Sequence, residues 1–217
     1  MKQHMHKVLR LLPIALLMGW QQGGPGWSDA ELQLADTARE VNYLTAEEKE
    51  VIKLVNLVRM DGLRYLHTFY QDYRQMPVEE MKNSDNEYIR SLYYDLQQVK
   101  GRPVLLPDKK LYRAAAYHAR DMGQSGRIGH TSSNGQDMAD RLTSYIKRWQ
   151  RITENCSYGY RQPAKIVGQL LLDEDVPSLG HRKNILDPQV THIGVAIAPH
   201  AKYQFNCVMD FCAYPDR

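Results

Sequence analysis

The chain has no apolar run of 18 residues, so nothing in it reads as a bilayer-spanning helix. It holds only three cysteines in 217 residues, which excludes a disulfide-dense miniprotein. Charge of one sign is also missing. With 28 Lys+Arg against 25 Asp+Glu the net charge is +3, and no Lys/Arg run with interleaved aromatics marks a phosphate-tracking groove, so no nucleic-acid partner is expected. Recognised enzyme signatures are absent: there is no H-E-x-x-H, no G-x-S-x-G, no phosphate-cradling glycine loop and no CxxC pair. Phenylalanine is scarce, three against fourteen tyrosines, so aromatic surfaces here are amphipathic rather than oily. What remains, 43% apolar and 24% charged, is ordinary globular usage, with enough chain for one generous domain.

The N-terminus has a pattern of its own. Lys2, Lys7 and Arg10 stand without an acid before the apolar stretch Leu11 to Trp20, and Gly23-Gly24-Pro25-Gly26 follows. A basic start, a short apolar core and small residues are the layout of a secretory signal. Residues 1–30 are therefore expected to be an export signal, with Ser28-Asp29-Ala30 offering a cut after Ala30. Residues 31–44 are a lead-in and 45–217 a single domain, placed in the periplasm or outside the cell. Beyond residue 30 the charges nearly cancel, 25 basic against 24 acidic, so the slight basicity belongs to the signal.

Within the domain, Thr45-Ala46-Glu47-Glu48 is a capping box that opens a helix carrying Val51, Ile52, Leu54, Val55 and Val58. A second short helix is expected over Leu63 to Tyr73. Ser84-Asp85-Asn86-Glu87 reads as another capping box, for a helix closed by Gly101. Pro103 and Pro107 hold the segment between them extended. Asp108 caps a helix to about Ser125, with Leu111, Ala114, Ala115, His118, Ala119 and Met122 on one face; His118 is thus a core or rim residue, outside any site. A helix over 137–147, an extended piece over 152–159 and a helix over 164–172 follow. Val190 to Ala198 and Tyr203 to Phe211 then read as strands joined by a turn at Pro199-His200-Ala201-Lys202. Helices followed by a terminal hairpin predict an α+β sandwich.

Four stretches carry chemistry. His130 lies in the glycine-bounded polar loop Gly129 to Gly135, where neutral imidazole serves as ligand or base. Glu154 is one carboxylate in an otherwise uncharged strand and needs a partner if buried, or else pairs with a surface lysine. Asp173-Glu174-Asp175 crowd the C-terminus of an apolar helix, where the dipole disfavours acids, so another cause must hold them there. The fourth is Gly180-His181-Arg182-Lys183-Asn184-Ile185-Leu186, in which Arg182 reads as a structural hydrogen-bond hub.

Taken in order, these stretches resemble the CAP superfamily: cysteine-rich secretory proteins, antigen-five proteins and pathogenesis-related proteins, and especially its bacterial branch. The resemblance spans roughly Thr45 to Tyr214. It rests on Gly180 to Leu186 with Ile193-Gly194-Val195-Ala196, and on Ala115 to Met122 leading into Gly129-His130. It implies a three-layer α-β-α sandwich of the CAP type and a cleft with two histidines, His130 and His181, and two acids. The first acid is Glu154, with Thr153 where the family usually has glycine. Many bacterial members carry the second acid directly before Gly-His, where Leu179 stands here, so it falls to Asp173, Glu174 or Asp175 upstream, and to Asp173 because it follows the apolar helix directly.

The resemblance implies that His130 and His181 hold a zinc-like cation, although no cofactor is required. The expected role is a non-enzymatic binding module for a small ligand, lipid, peptide or wall component. The alternative is a metal-assisted hydrolase of peptide or cell-wall bonds, with Glu154 or Asp173 as base. A purely structural polar cluster is the third reading. Cys207 and Cys212 lie about 16 Å apart on one strand and cannot pair. A bond from Cys156 to Cys207 is open to an exported chain.

Overall fold

The computed structural model describes residues 26–215. In chain order it contains α1 (Asp29–Ala35), α2 (Ala46–Met60), α3 (Gly62–His67), a 3-10 turn (Phe69–Asp72), α4 (Val78–Lys82), α5 (Glu87–Gln97) and β1 (Leu106–Pro107). Then follow α6 (Lys109–Ser125), α7 (Met138–Tyr145), β2 (Arg151–Tyr158), α8 (Pro163–Leu172), α9 (Gly180–Leu186), β3 (His192–His200) and β4 (Gln204–Ala213). The sheet order is β1-β3-β4-β2, with β1 parallel to β3 and the other pairs antiparallel. α6 and α7 cover one face, and α2, α8 and α9 belong to the layer on the other. The fold is a three-layer α-β-α sandwich.

Local chemistry explains the main elements. Thr45 and Glu48 close the expected capping box, Thr45 N–H donating to Glu48 Oε2 at 2.8 Å and Glu48 N–H to Thr45 Oγ1 at 3.2 Å. Glu48 Oε1 also accepts the Ile197 N–H at 2.9 Å, tying the helix start to β3. Asp108 caps α6 through the Lys110 and Leu111 N–H groups, and Gly126, at φ 66°, ends it in the left-handed conformation. Every residue of the expected α6 stripe has zero exposure. α6 approaches β3 so closely that a Cβ on Gly194 would lie 2.2 Å from the Leu111 carbonyl carbon. That glycine is required by packing.

Several expectations need correcting. The helix at Glu87 is capped by Asn86, whose Oδ1 accepts from Tyr88 and Ile89; Ser84 makes no capping box and only accepts the Asn86 N–H. Leu63 to Tyr73 is not one helix, because the backbone breaks at Thr68 (φ −114°, ψ −85°) between α3 and the 3-10 turn. Pro199 and His200 belong to β3, so the hairpin turn is Ala201–Tyr203. Lead-in residues 31–44 contribute to α1 and to the core through Ala35, Ala38 and Leu44. The basic and apolar parts of the expected export signal lie outside the described residues. The suggested cut after Ala30 falls in the first turn of α1, which Ser28 and Glu31 cap reciprocally, and would remove Trp27, bonded to Thr68 at 3.1 Å.

The Cys156–Cys207 bond is also ruled out; all three cysteines are free and buried. In the β2–β4 register Cys156 pairs with Val208 and Ser157 with Cys207. Adjacent positions on a strand point to opposite faces. Cys156 therefore packs under α6 with Ala115, Ala119 and Val208, while Cys207 joins Met209 and Phe211 on the far face.

Candidate functional site

β2 is an edge strand, and a cavity of about 300 Å³ wraps around that edge. Cys156 and Tyr158 line it from β2, Gln169 and Leu170 from α8, and Asp173 and His181 from the turn into α9 and its start. This position lets the two α layers each deliver a histidine. His130 arrives from the loop after α6, its Nδ1 3.7 Å from Cys156 Sγ, and His181 from the first turn of α9.

Each histidine is backed by a carboxylate at the same ring atom. His130 Nδ1 meets Glu154 Oε1 at 2.8 Å, and His181 Nδ1 meets Asp173 Oδ1 at 2.6 Å. Both acids are buried, while the His130 side chain is 49% exposed and that of His181 22%. An Nδ1–H held by a carboxylate leaves Nε2 carrying the lone pair for a ligand, a proton or a metal.

The supports beneath the two pairs differ. Glu154 belongs to a network that spacing alone did not foreshadow. Arg141 of α7, almost fully buried, pairs with Glu154 Oε2 and also donates to Ser132 Oγ at 3.0 Å and His130 O at 3.1 Å. Glu154 thus pairs with a buried arginine, not a surface lysine. His118 is buried as expected, but it lies directly under the site, bonded to Ser132 Oγ at 3.2 Å and Gly129 O at 2.9 Å. Asp210 on β4 stands opposite Glu154 in the register, and Gly194 on β3 completes the row beneath α6.

Burial opposes ionisation of Glu154, but the hydrogen bond from His130 and the charge of Arg141 outweigh it and hold the carboxyl below its ordinary value. Burial, then the facing Glu154 charge, raise Asp210 well above its own, which favours its protonated form. Burial also holds His118 below the ordinary histidine value. Burial, then the charge of Glu154, push the Cys156 thiol well up, which disfavours its thiolate.

Asp173 is held by backbone instead. It ends α8 in the left-handed conformation (φ 56°) and turns its carboxylate onto the start of α9, accepting from His181 N at 2.9 Å and Arg182 N at 3.2 Å. An acid disfavoured at one helix's C-terminus is thus favoured at the next helix's N-terminus, the cause that the acidic cluster required. Glu174 also lines the cavity, but its carboxylate accepts from Asn86 at 2.7 Å and makes no bond to either histidine. Arg182 is the expected hub, donating to Leu171 O, Leu172 O, Tyr88 O, Ser91 Oγ and Asp95 Oδ2. Asn155 donates to His181 O at 3.0 Å and Asn184 to Asn155 Oδ1 at 2.8 Å, stitching α9 to the sheet edge.

A compact donor set bears on metal binding. The ligand atoms of His118, Glu154 and Cys156 lie within 4.8 Å of one another, close enough to share an ion. His118 already spends both nitrogens on Ser132 and Gly129, however, so an ion there would have to displace those bonds.

The His181–Asp173 pair lines this sheet-edge cavity, and the His130–Glu154 pair lies next to it against Cys156, within an α-β-α sandwich. Residues 53–211 match the cysteine-rich secretory protein (CAP) family, most of the chain, and the chain belongs to that family. It is similar to the uncharacterized protein YkwD of Bacillus subtilis (strain 168), 31% identical over 46% of this chain and 37% of that one. It also resembles the uncharacterized membrane protein YlbC of the same organism, 32% identical over 42% of this chain and 25% of that one. The chain thus spans well under half the length of these curated relatives. A crystal structure of an extracellular protein containing a SCP domain from Bacillus anthracis str. Ames aligns at 22% identity and TM-score 0.44, covering 64% of this chain and 44% of that one.

Proposed function

We propose that the protein is an exported binding module whose edge cleft takes a small ligand, lipid, peptide or wall component between His130 and His181. The observation carrying this reading is the pair of dyads: two imidazoles, each with Nδ1 committed to a buried carboxylate, beside a cavity of about 300 Å³. That volume is at the lower end of small-molecule sites. The cleft offers hydrogen-bonding and ligating nitrogens, while its thiol is kept protonated by burial. Export rests on the leader pattern of residues 1–30.

The dyads also support a second reading, a metal-assisted hydrolase. A zinc ion on His130 and His181 would supply Lewis acidity. The chain's own residues would orient the two rings through Glu154 and Asp173. Zinc titration by calorimetry followed by a thermal-shift screen of lipids, peptides and wall fragments tests both readings. Wild type is expected to bind at least one class, and the His130→Ala/His181→Ala double variant to lose it. A double variant that binds everything as wild type does would sink the cleft assignment. Hydrolysis of a peptide or murein substrate that depends on zinc and both histidines would replace binding by catalysis.

A further inference from the structure

The near-neutral charge balance hides a local excess of positive charge at the turn between α7 and β2. Residues 147 to 151, Lys-Arg-Trp-Gln-Arg, are five consecutive exposed positions. The turn is pinned on both sides. Ile146 is 1% exposed and its N–H donates to Leu142 O at 2.9 Å, while the Gln150 N–H donates to Ala213 O at 2.8 Å. Lys147, Arg148 and Trp149 therefore stand out as a three-residue tip on a rigid base. Arg151 is paired with Asp187, but Lys147 and Arg148 have no ion-pair partner among the described residues. Beside the tip, the exposed Arg113 lies over the Tyr145 ring, 5.9 Å from its centre, which adds a further cation next to an aromatic group. The Trp149 indole is 40% exposed, a large apolar surface for a soluble domain to leave in water.

We infer that the tip Lys147-Arg148-Trp149 is a docking point for an anionic lipid surface, with the indole at the headgroup level and the two cations against lipid phosphates. A tip of three residues is too short to track a polymer backbone, and it protrudes rather than lining a groove. A single aromatic flanked by free cations matches a soft interface with an apolar layer beneath an anionic one. Fixing the turn at Ile146 and Gln150 lowers the ordering cost of contact. The surface is separate from the histidine cleft, so this inference does not rest on what the cleft binds.

The test uses the full chain and vesicles of phosphatidylcholine, alone or with about 30 mol% phosphatidylglycerol. The apolar segment Leu11 to Trp20 contributes to both vesicle types, so the quantity read is the anionic-to-neutral partition ratio. Each basic residue near an anionic leaflet is worth roughly a fivefold gain, so Lys147→Gln/Arg148→Gln is expected to lower the ratio roughly twentyfold. Trp149→Ser is expected to weaken anionic partition roughly tenfold through lost apolar burial. Brominated acyl chains should quench the Trp149 emission, isolated as the difference between wild type and Trp149→Phe. An unchanged ratio in the double variant, or an unquenched Trp149 in vesicle-bound protein, overturns the inference. So does heparin binding through Lys147 and Arg148 without any anionic preference among vesicles, which would assign the tip to a soluble polyanion.

Discussion

The two histidine–carboxylate pairs look alike from the cleft and are built in opposite ways. His130–Glu154 stands on buried charge: Arg141 neutralises the carboxylate, Asp210 faces it from β4 with its own ionisation disfavoured, and His118 and Ser132 fill the space below. His181–Asp173 stands on backbone: one left-handed residue turns a carboxylate onto the first N–H groups of the next helix. The first arrangement is electrostatic and fragile to loss of a partner, since an uncompensated buried charge is costly. In the second the carboxylate is equally buried but is compensated by backbone N–H groups instead of a buried cation, and a left-handed residue adds a cost in φ and ψ. Substitutions should therefore affect the two pairs with different magnitudes and different pH signatures.

The largest effect is expected at Arg141. Arg141→Ala leaves Glu154 buried without its cation and removes the donor to the His130 carbonyl, so urea denaturation should show a loss of about 3–5 kcal/mol. Adding Glu154→Gln should recover part of that loss, because the stranded charge is then gone. If the double variant is no more stable than Arg141→Ala, the network is packing rather than electrostatics. Asp173→Ala should cost less, about 1–3 kcal/mol, because it removes neutral backbone bonds at a helix start and the His181 contact but strands no ion. In NMR spectra the His181 ring signals should move while those of His130 stay in place. Movement of both rings would mean that the two pairs are coupled.

This difference also explains what was legible in the sequence. His181 and Asp173 are eight residues apart across a turn between two helices, and the family resemblance picked out both, with Asp173 taken because it follows the apolar helix directly. His130 and Glu154 showed as a polar loop and a lone carboxylate. Arg141 did not show, because an arginine on a short helix looks solvated until the strand beneath it is placed. Asp210 is an acid in an apolar strand, a signal that was there to read, but only the β2–β4 register sets it against Glu154. His118 was correctly placed in the core by periodicity, yet periodicity could not say that the core at that point is the floor of the cleft. The disulfide expectation failed for the same reason, since strand pairing decides which face each thiol occupies.

A pH series separates the two supports further. Asp210 has a raised value in the folded protein, so relative to the unfolded chain it favours folding most below the ordinary aspartate range. That contribution is lost as pH rises toward its folded value. Glu154 has the opposite sign: its contribution is present above the ordinary glutamate value and lost as pH falls through its lowered one. Asp210→Asn keeps a neutral side chain of the same shape. It should lie within about 1 kcal/mol of wild type near pH 4 and become progressively more stable than wild type as pH rises. Urea midpoints at several pH values would check this, and a difference that does not grow with pH would remove the account of Asp210 as a group held protonated.

The smallest effect belongs to the conformational support. Three residues between α8 and α9 have left-handed backbone: Asp173 (φ 56°), Asp175 (φ 63°) and Leu179 (φ 51°). Aspartate tolerates that region through local hydrogen bonding, but leucine has no such compensation. Leu179 nevertheless begins α9, its N–H donating to Val176 O at 2.9 Å and its carbonyl accepting from Lys183 N at 3.0 Å, and so fixes where His181 emerges. Leu179→Gly relieves the strain but loses side-chain contact and makes the unfolded chain more flexible, so its net change from wild type should be within about 1 kcal/mol. Leu179→Ala loses the same contact and keeps the strain. Comparing the two isolates the backbone term: the glycine variant should be the more stable by about 1 kcal/mol in urea denaturation. If alanine is equal or better, strain at this turn is not what holds His181, and the hydrogen bonds that Asp173 accepts must alone set its position.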